Sequence, residues 1–286
     1  MYRRVTITAV IVGIVVLLVV GFYLVYTAST KNDALIGQPV SDSDLASLRQ
    51  LSLPPYGPSG SGLLSDVKNY TGSPLTVNGK PLVVYIGADY CPYCSIQRWV
   101  LVLSLERFGN FTNLIYMASS QAEGDYATFT FSNITYTSKY ISFQAFENRD
   151  RNNQPLQTVP ANYTSVWSQY GSEYPFANFG NRYIIPASLL LPNDMAGKSW
   201  ADILASVAAG DSLGTQIKEA TNVMTALVCK VTNNQPTSVC SQSPINGLVI
   251  SIEAFVPPSA GYVSQAFSVQ PTTPLAVVPY IAPGRE

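Results

Sequence analysis

The chain is 286 residues long, and Asp, Glu, Lys and Arg make up only 12% of it, about half the usual share of a soluble domain. Histidine is absent, which excludes Ser-His-Asp and Cys-His nucleophile pairs, imidazole metal sites and histidine-based pH switching. With 16 basic against 17 acidic residues the chain lacks the concentrated cationic charge that nucleic acid requires, so chemistry must come from carboxylates, hydroxyls or the four cysteines.

Residues 5–25 carry no charge and are nearly all apolar. At 1.5 Å per residue such a run covers roughly 32 Å, enough for one bilayer crossing. Arg3 and Arg4 precede it, whereas Lys31 and Asp33 beyond it nearly cancel. The positive-inside rule therefore predicts a single-pass protein of the cell membrane, with its N-terminus cytoplasmic and an ectodomain outside. A cleaved signal peptide is the alternative, since small residues follow at Thr27, Ala28 and Ser29; a run longer than the usual signal core of about 7–15 residues favours a retained anchor. Sequons at Asn69, Asn110, Asn133 and Asn162 fit a glycosylated ectodomain.

Residues 1–27 are read as cytoplasmic tip and anchor, and 28–60 as a stalk. Within the stalk a short helix starts at Ser41 or Asp42, and Pro and Gly over 54–62 end all regular structure. The ectodomain is expected over 61–241. Asn78-Gly79 predicts a tight turn between 75–77 and 82–86, and the latter run, Leu-Val-Val-Tyr-Ile, has the continuous apolar character of a central strand buried on both faces. Cys91-Pro92-Tyr93-Cys94 then opens a helix to about Phe108, apolar along Ile96, Trp99, Val100 and Leu103; Glu106 and Arg107 read as solvated surface. A second strand over 111–117 completes a βαβ unit. Residues 126–146 read as extended, 153–160 as loop and 163–170 as a short helix. Gly180-Asn181 joins 175–179 and 182–191 in another hairpin. Helices follow over 199–209 and 213–228, with Cys240 in a loop after Pro236. Residues 242–286 read as a strand-like segment, 249–256, and a Pro-rich tail. The fold class is α/β: a central mixed sheet flanked by helices, one N-terminal transmembrane helix and extra extended segments.

The spacing of Cys91 and Cys94 carries the chemistry. Two intervening residues on a first helical turn bring the sulfurs within bridging reach, and unpaired backbone N–H groups and the helix dipole stabilise a thiolate on the first. Pro92 costs little there, because its missing N–H is one the first turn leaves unpaired anyway. A thiolate beside a resolving thiol can attack a disulfide, then release itself by closing its own. Cys91 is thus the expected nucleophile, Cys94 the resolving thiol, and no organic cofactor is required. A zinc half-site competes, but its second half should be another CxxC or histidines. A static disulfide also competes, though so short a loop gains little chain entropy from cross-linking. Cys229 and Cys240 enclose a loop of about a dozen residues and read as a structural disulfide worth about 2–3 kcal/mol in an oxidising compartment; a second redox relay is the sharper alternative.

The stretch from Leu82 through Cys94 resembles the active-site strand and turn of the thioredoxin superfamily, and the Pro-Tyr between the cysteines is similar to that of glutaredoxins. Tyr174-Pro175-Phe176 followed by Phe179-Gly180-Asn181-Arg182-Tyr183 resembles the superfamily's cis-proline, strand and turn. That match implies that Pro175 faces the cysteines and helps bind substrate backbone, with Pro186 the second candidate. More closely, residues 87–109, 140–157 and 229–240 resemble archaeal thioredoxin-like membrane proteins grouped as domain of unknown function 929. This implies a thioredoxin-like fold and active-site chemistry but supplies no substrate. Thioredoxins commonly carry a buried Asp six residues before the first cysteine, assisting proton transfer to the second. That position is Tyr85 here, and Asp89 is the candidate to substitute, against an ordinary strand-end role.

The expected function is thiol–disulfide exchange by an anchored, extracytosolic oxidoreductase acting on proteins that carry thiols or disulfides. The anchor leaves room for a redox partner in the membrane. The contrasting expectation is a non-catalytic cell-surface module for binding or adhesion, suggested by the long polar, aromatic region 126–160. A third is Cu or Zn carriage by Cys91 and Cys94.

Overall fold

The structure, a computed structural model, describes residues 11–21 and 33–255. The anchor predicted over 5–25 lies partly outside these; its described part, 11–21 (α1), is an exposed helix. No helix among the described residues is long and apolar enough to cross a membrane.

Residues 28–60 depart from the predicted stalk in their described part. Helix α2, Asp42–Leu51, forms as its sequence implies, the Ser41 hydroxyl accepting the Asp44 N–H at 3.2 Å. Val40, Leu48 and Tyr56, however, are buried in the main core. The Arg107 guanidinium lies 3.9 Å from the centroid of the Tyr56 ring. The Asn222 side-chain amide donates to the Tyr56 and Pro58 carbonyls at 2.9 and 2.6 Å. Residues 55–60 carry no helix or strand, as predicted, but Ser61 and Gly62 already open a 3-10 helix, Ser61–Asp66, and the stretch's backbone carbonyls and one large ring give it reason to adhere.

The strands that follow are β1, Lys68–Asn69; β2, Thr76–Val77; and β3, Lys80–Gly87. Asn78 and Gly79, at φ 51° and 74°, make the β2–β3 turn that needs left-handed backbone at both central residues. Helix α3, Pro92–Leu105, comes next. The predicted strand over 111–117 is instead two strands, β4 (Gly109–Thr112) and β5 (Ile115–Ala118), and neither joins the main sheet. Between them Asn113 takes φ 60°, a conformation asparagine tolerates and an extended strand does not. The region read as extended resolves into β6, Ala127–Thr130; β7, Thr135–Ser138; and β8, Ser142–Glu147. Strand β6 pairs with β5 and β7 with β4 as antiparallel ribbons, so β8 is the parallel partner of β3 across the crossover. Helix α4, Ala161–Trp167, leads to β9, Phe176–Phe179, and β10, Tyr183–Ile185. The hairpin turn at Gly180 and Asn181 has φ 64° and 56°.

The main sheet is therefore mixed. It runs β1-β10-β9-β3, with β8 parallel to β3, β9 antiparallel to it, and β2 paired to its start. Leu82, Val84 and Ile86 of β3 pack with Val159, Tyr163, Val166 and Trp167 around α4. Val83 and Tyr85 point into the larger core shared with α3. Alternation across two covered faces explains why this strand is apolar at every position. The larger core is completed by α5, Trp200–Ala209; α6, Ser212–Val231; α7, Thr237–Cys240; and α8, Ile245–Phe255. Cys240 thus ends a short helix rather than lying in a loop. The strand-like reading of 249–256 is also corrected: Ile245, Leu248, Val249 and Ile252 are buried at helical spacing, while Ile250 is exposed, a 3.6-residue period that a short β-branched run disguises.

Candidate active site

Gly87 ends β3, and Ala88, Asp89 and Tyr90 carry the chain to Cys91, the N-cap of α3. The Cys91 sulfur accepts the Cys94 N–H at 3.2 Å, one of the donors a helix leaves unpaired in its first turn. Pro92 fills the adjoining first-turn position. Both thiols are free; Cys91 is 5% exposed and Cys94 fully buried. Contact with the Cys94 side chain, assisted by its backbone N–H and by Arg98 and opposed by burial, holds the Cys91 thiol below its ordinary value. Burial, then the neighbouring Cys91, pushes Cys94 well above it. The pair is thus polarised into one thiol easily ionised and one that is not.

Tyr174 and Pro175 close the site from the start of β9. The Tyr174 carbonyl oxygen lies 4.0 Å from the Cys91 sulfur, and the Tyr174–Pro175 peptide is cis. Pro186, the second candidate, follows the end of β10. Tyr90 meets Tyr174 edge to face at 6.4 Å, and Trp167 lies 5.3 Å from Tyr174. The Tyr174 hydroxyl donates to the Asn148 side-chain carbonyl. Tyr93, between the cysteines, is 45% exposed. The rim is aromatic, with the Arg149 cation acting on both Tyr90 and Tyr174.

Beneath it lies a buried charge. Arg98, one helical turn beyond Cys94, is fully buried and is the sole charge in α3. Its Nε and Nη2 donate to the two Glu147 oxygens at 2.9 and 2.7 Å, and Nη2 also donates to the Ala88 carbonyl at 2.8 Å. Asp89 Oδ1 accepts from the same Nη2 at 3.4 Å. Glu147, at the end of β8, accepts the Phe131 N–H as well. Burial opposes the Arg98 charge, but Glu147, Tyr85 and Asp89 together outweigh it, so it stays a cation. Two buried carboxylates share this one guanidinium; burial, then repulsion from Glu147, pushes the Asp89 carboxyl up to about 8.

Asp89, the sequence candidate for proton transfer, shares the Arg98 guanidinium with Glu147, and Cys91, Arg98, Glu147 and Tyr85 act directly on Cys94. Arg98 and Glu147 escaped the sequence reading. For Arg98 the signal was present, a lone charge four residues after Cys94 on an otherwise apolar helix; for Glu147 nothing local distinguishes it. Arg107 and Glu106 are not solvated surface. Arg107 donates to Asn222 and Thr225, each at 2.9 Å. Glu106 accepts the Phe111 N–H at 2.8 Å. Cys229 and Cys240 form a buried disulfide joining the end of α6 to α7. Asn69, Asn110, Asn133 and Asn162 are all exposed.

The profile of a family described as a domain of unknown function (DUF929) matches residues 67–230, more than half of the chain and including the whole cysteine site. No curated protein and no solved structure matches it.

Proposed function

The chain belongs to the DUF929 family, and from that premise we propose that it is a thiol–disulfide oxidoreductase with a thioredoxin-like fold. The observation that carries the reading is the polarised pair at the N-terminus of α3: Cys91, its thiol lowered, accepts the Cys94 N–H and lies 4.0 Å from the Tyr174 carbonyl. Support for the fold comes from the β3–α3 unit, a parallel β8, and an antiparallel β9–β10 hairpin entered through Pro175.

The Cys91 thiolate attacks a disulfide sulfur of a protein substrate, and the displaced sulfur leaves as a thiolate that takes its proton from solvent. An S–S bond now joins Cys91 to the substrate. Cys94 attacks Cys91, the Cys91–Cys94 bond forms as the mixed bond breaks, and the Cys94 proton ends on the departing substrate sulfur. The substrate disulfide is reduced by two electrons and the site is oxidised by two. Run in reverse, the same steps oxidise a dithiol. Pro175 aligns the substrate backbone. The charge-free run 5–25 behind Arg3 and Arg4 supports an anchored protein with this domain outside the cell and a redox partner in the membrane. The full chain should reduce a protein disulfide in the presence of a small dithiol, or speed oxidative refolding. Undiminished activity in Cys91→Ser would sink the assignment.

One observation favours the contrasting reading of a surface binding module: Cys91 is only 5% exposed. Under that reading the pair resists mild reductant, so alkylation of Cys91 in the native chain after mild reduction decides against it.

A further inference from the structure

Behind the cysteine pair are two buried donors without acceptors. Tyr85 leaves β3 toward the larger core, where its ring packs edge to face on Phe131 at 5.3 Å and 6.0 Å from the Arg98 carbon Cζ. Its hydroxyl reaches along the strand over Gly87, where a Cβ would stand 2.2 Å from it. Glycine is therefore required at that position to let the phenol approach the turn. There the hydroxyl lies against the Cys94 side chain without forming a bond of hydrogen-bonding geometry to it. The Arg98 guanidinium is engaged through Nε and Nη2, while Nη1 is buried with no partner. Arg98 follows Cys94 by four residues in α3, so the two side chains share one helix face.

Buried donors are nearly always paired, and an unpaired one costs stability. Two such donors, one against the Cys94 side chain and one on the helix face that Cys94 shares, make sense if the acceptor is a charge that exists only during turnover. The ionised Cys94 is that charge. The neutral thiol is a weak acceptor, but the thiolate accepts strongly in a site that water does not reach. We propose that the Tyr85 hydroxyl and Arg98 Nη1 are a donor pair for the Cys94 thiolate, and that they set how fast Cys94 resolves the mixed disulfide. This rests on the redox reading above and names the groups that govern its second step. The donors lower the cost of the thiolate, and the Cys94 proton still passes to the departing substrate sulfur. Electrostatic preorganisation of this kind stabilises charge where it develops and needs no rearrangement when it does.

The groups facing Cys94 bear on the sign. Cys91 and Arg98 face it from its own helix, Tyr85 from β3, and Glu147 from β8, with Tyr90 and Tyr174 on the rim. Asp89 acts on it through the shared Arg98. Burial, Cys91 and Glu147 oppose ionisation and Arg98 favours it. Removing a donor therefore moves Cys94 ionisation, and with it resolution, to higher pH.

A chromogenic aryl disulfide separates the two steps in the full chain. Attack by Cys91 releases the first coloured thiolate and resolution by Cys94 the second. Tyr85→Phe keeps the ring and removes only the hydroxyl. The second phase is expected to slow about tenfold, as for loss of one charged hydrogen bond, with its pH profile displaced upward and the first phase unchanged. Thermal stability is expected to stay equal or rise, because the deleted donor had no partner in the dithiol state. In a Cys91→Ser background, thiolate absorbance should show Cys94 ionising at higher pH when Tyr85→Phe is added. An unchanged second phase, or a Tyr85→Phe chain that melts lower than the parent, overturns the inference: the first denies the hydroxyl a kinetic role and the second makes it structural. A parent chain that releases no first thiolate overturns the redox reading itself, and this inference with it.

Discussion

Replacing Asp89 with asparagine tests the buried cluster through the pH dependence of folding. The Asp89 carboxyl is held at about 8 in the folded chain against an ordinary 3.8, first by burial and then by Glu147. Between those values the unfolded chain has lost a proton that the folded chain keeps. Stability therefore falls as pH rises through this window, by up to about 1.4 kcal/mol per pH unit, and the slope ends near pH 8 where the folded carboxyl ionises too. Across the window the ceiling is on the order of 6 kcal/mol. A carboxamide imitates the protonated acid and has nothing to ionise, so Asp89→Asn should flatten the slope and raise stability most at the top of the window, near pH 8. Denaturant midpoints of parent and variant, followed from about pH 5 to about pH 8 with m unchanged, measure this. Glu106, also raised by burial, contributes equally to both proteins and cancels in the difference. Asp202 and Asp211 are lowered, chiefly by hydrogen bonds from Ser199 and from the Gly214 N–H, so their contribution is lost only below about pH 4. A variant whose midpoint falls with pH as steeply as the parent's would refute the assignment of that proton to Asp89.

Two further outcomes follow from the same core. Glu147→Gln leaves the buried Arg98 without its bidentate partner and should cost about 3–5 kcal/mol in chemical denaturation, whereas Arg98→Met added to it should recover much of that loss. Cys229→Ser with Cys240→Ser should lower unfolding free energy by about 3 kcal/mol, the loop-closure value for a separation of 11 residues, with the reactivity of Cys91 toward a small disulfide unchanged.

Local signals were legible where one residue type fixes one backbone state. Asn78-Gly79 and Gly180-Asn181 declared their turns, Ser41 its helix start, and Cys91-Pro92-Tyr93-Cys94 a helix N-terminus. The continuous apolar run of β3 announced a strand covered on two faces, and two distinct packed clusters cover it. What failed to show was partnership over long separations. The crossover from β3 was expected to end at 111–117, yet the parallel partner is β8, which begins only at Ser142. The intervening apolar residues satisfy their backbone in two ribbons of their own. The same limit hid the adhesion of Tyr56 to Arg107 and the pairing of Arg98 with Glu147, 49 residues apart. Composition gives no clue to such pairs: Arg107 and Glu147 alone read as ordinary surface, and the lone charge of Arg98 on an apolar helix does not name its partner.

A chain so poor in charge places three of its ionised or ionisable side chains, Asp89, Arg98 and Glu147, in one buried cluster behind two thiols. Stability does not call for this: well-packed apolar residues of similar volume commonly do as well or better. Nor does the bidentate pair require a third group, since Glu147 alone neutralises Arg98. The surplus lies in what the pair leaves over, a second carboxylate carrying a proton near neutral pH and a guanidinium edge with no acceptor. With no histidine anywhere in the chain, no imidazole can ferry protons or supply a positive charge to a thiolate. Arg98 supplies a charge that does not titrate at the pH of folding, Glu147 fixes its orientation, and Tyr85 adds a neutral donor that β3 can bring to the turn because Gly87 has no side chain. The absence of histidine and the presence of this cluster are two sides of one arrangement, in which thiolate stabilisation comes from permanent donors.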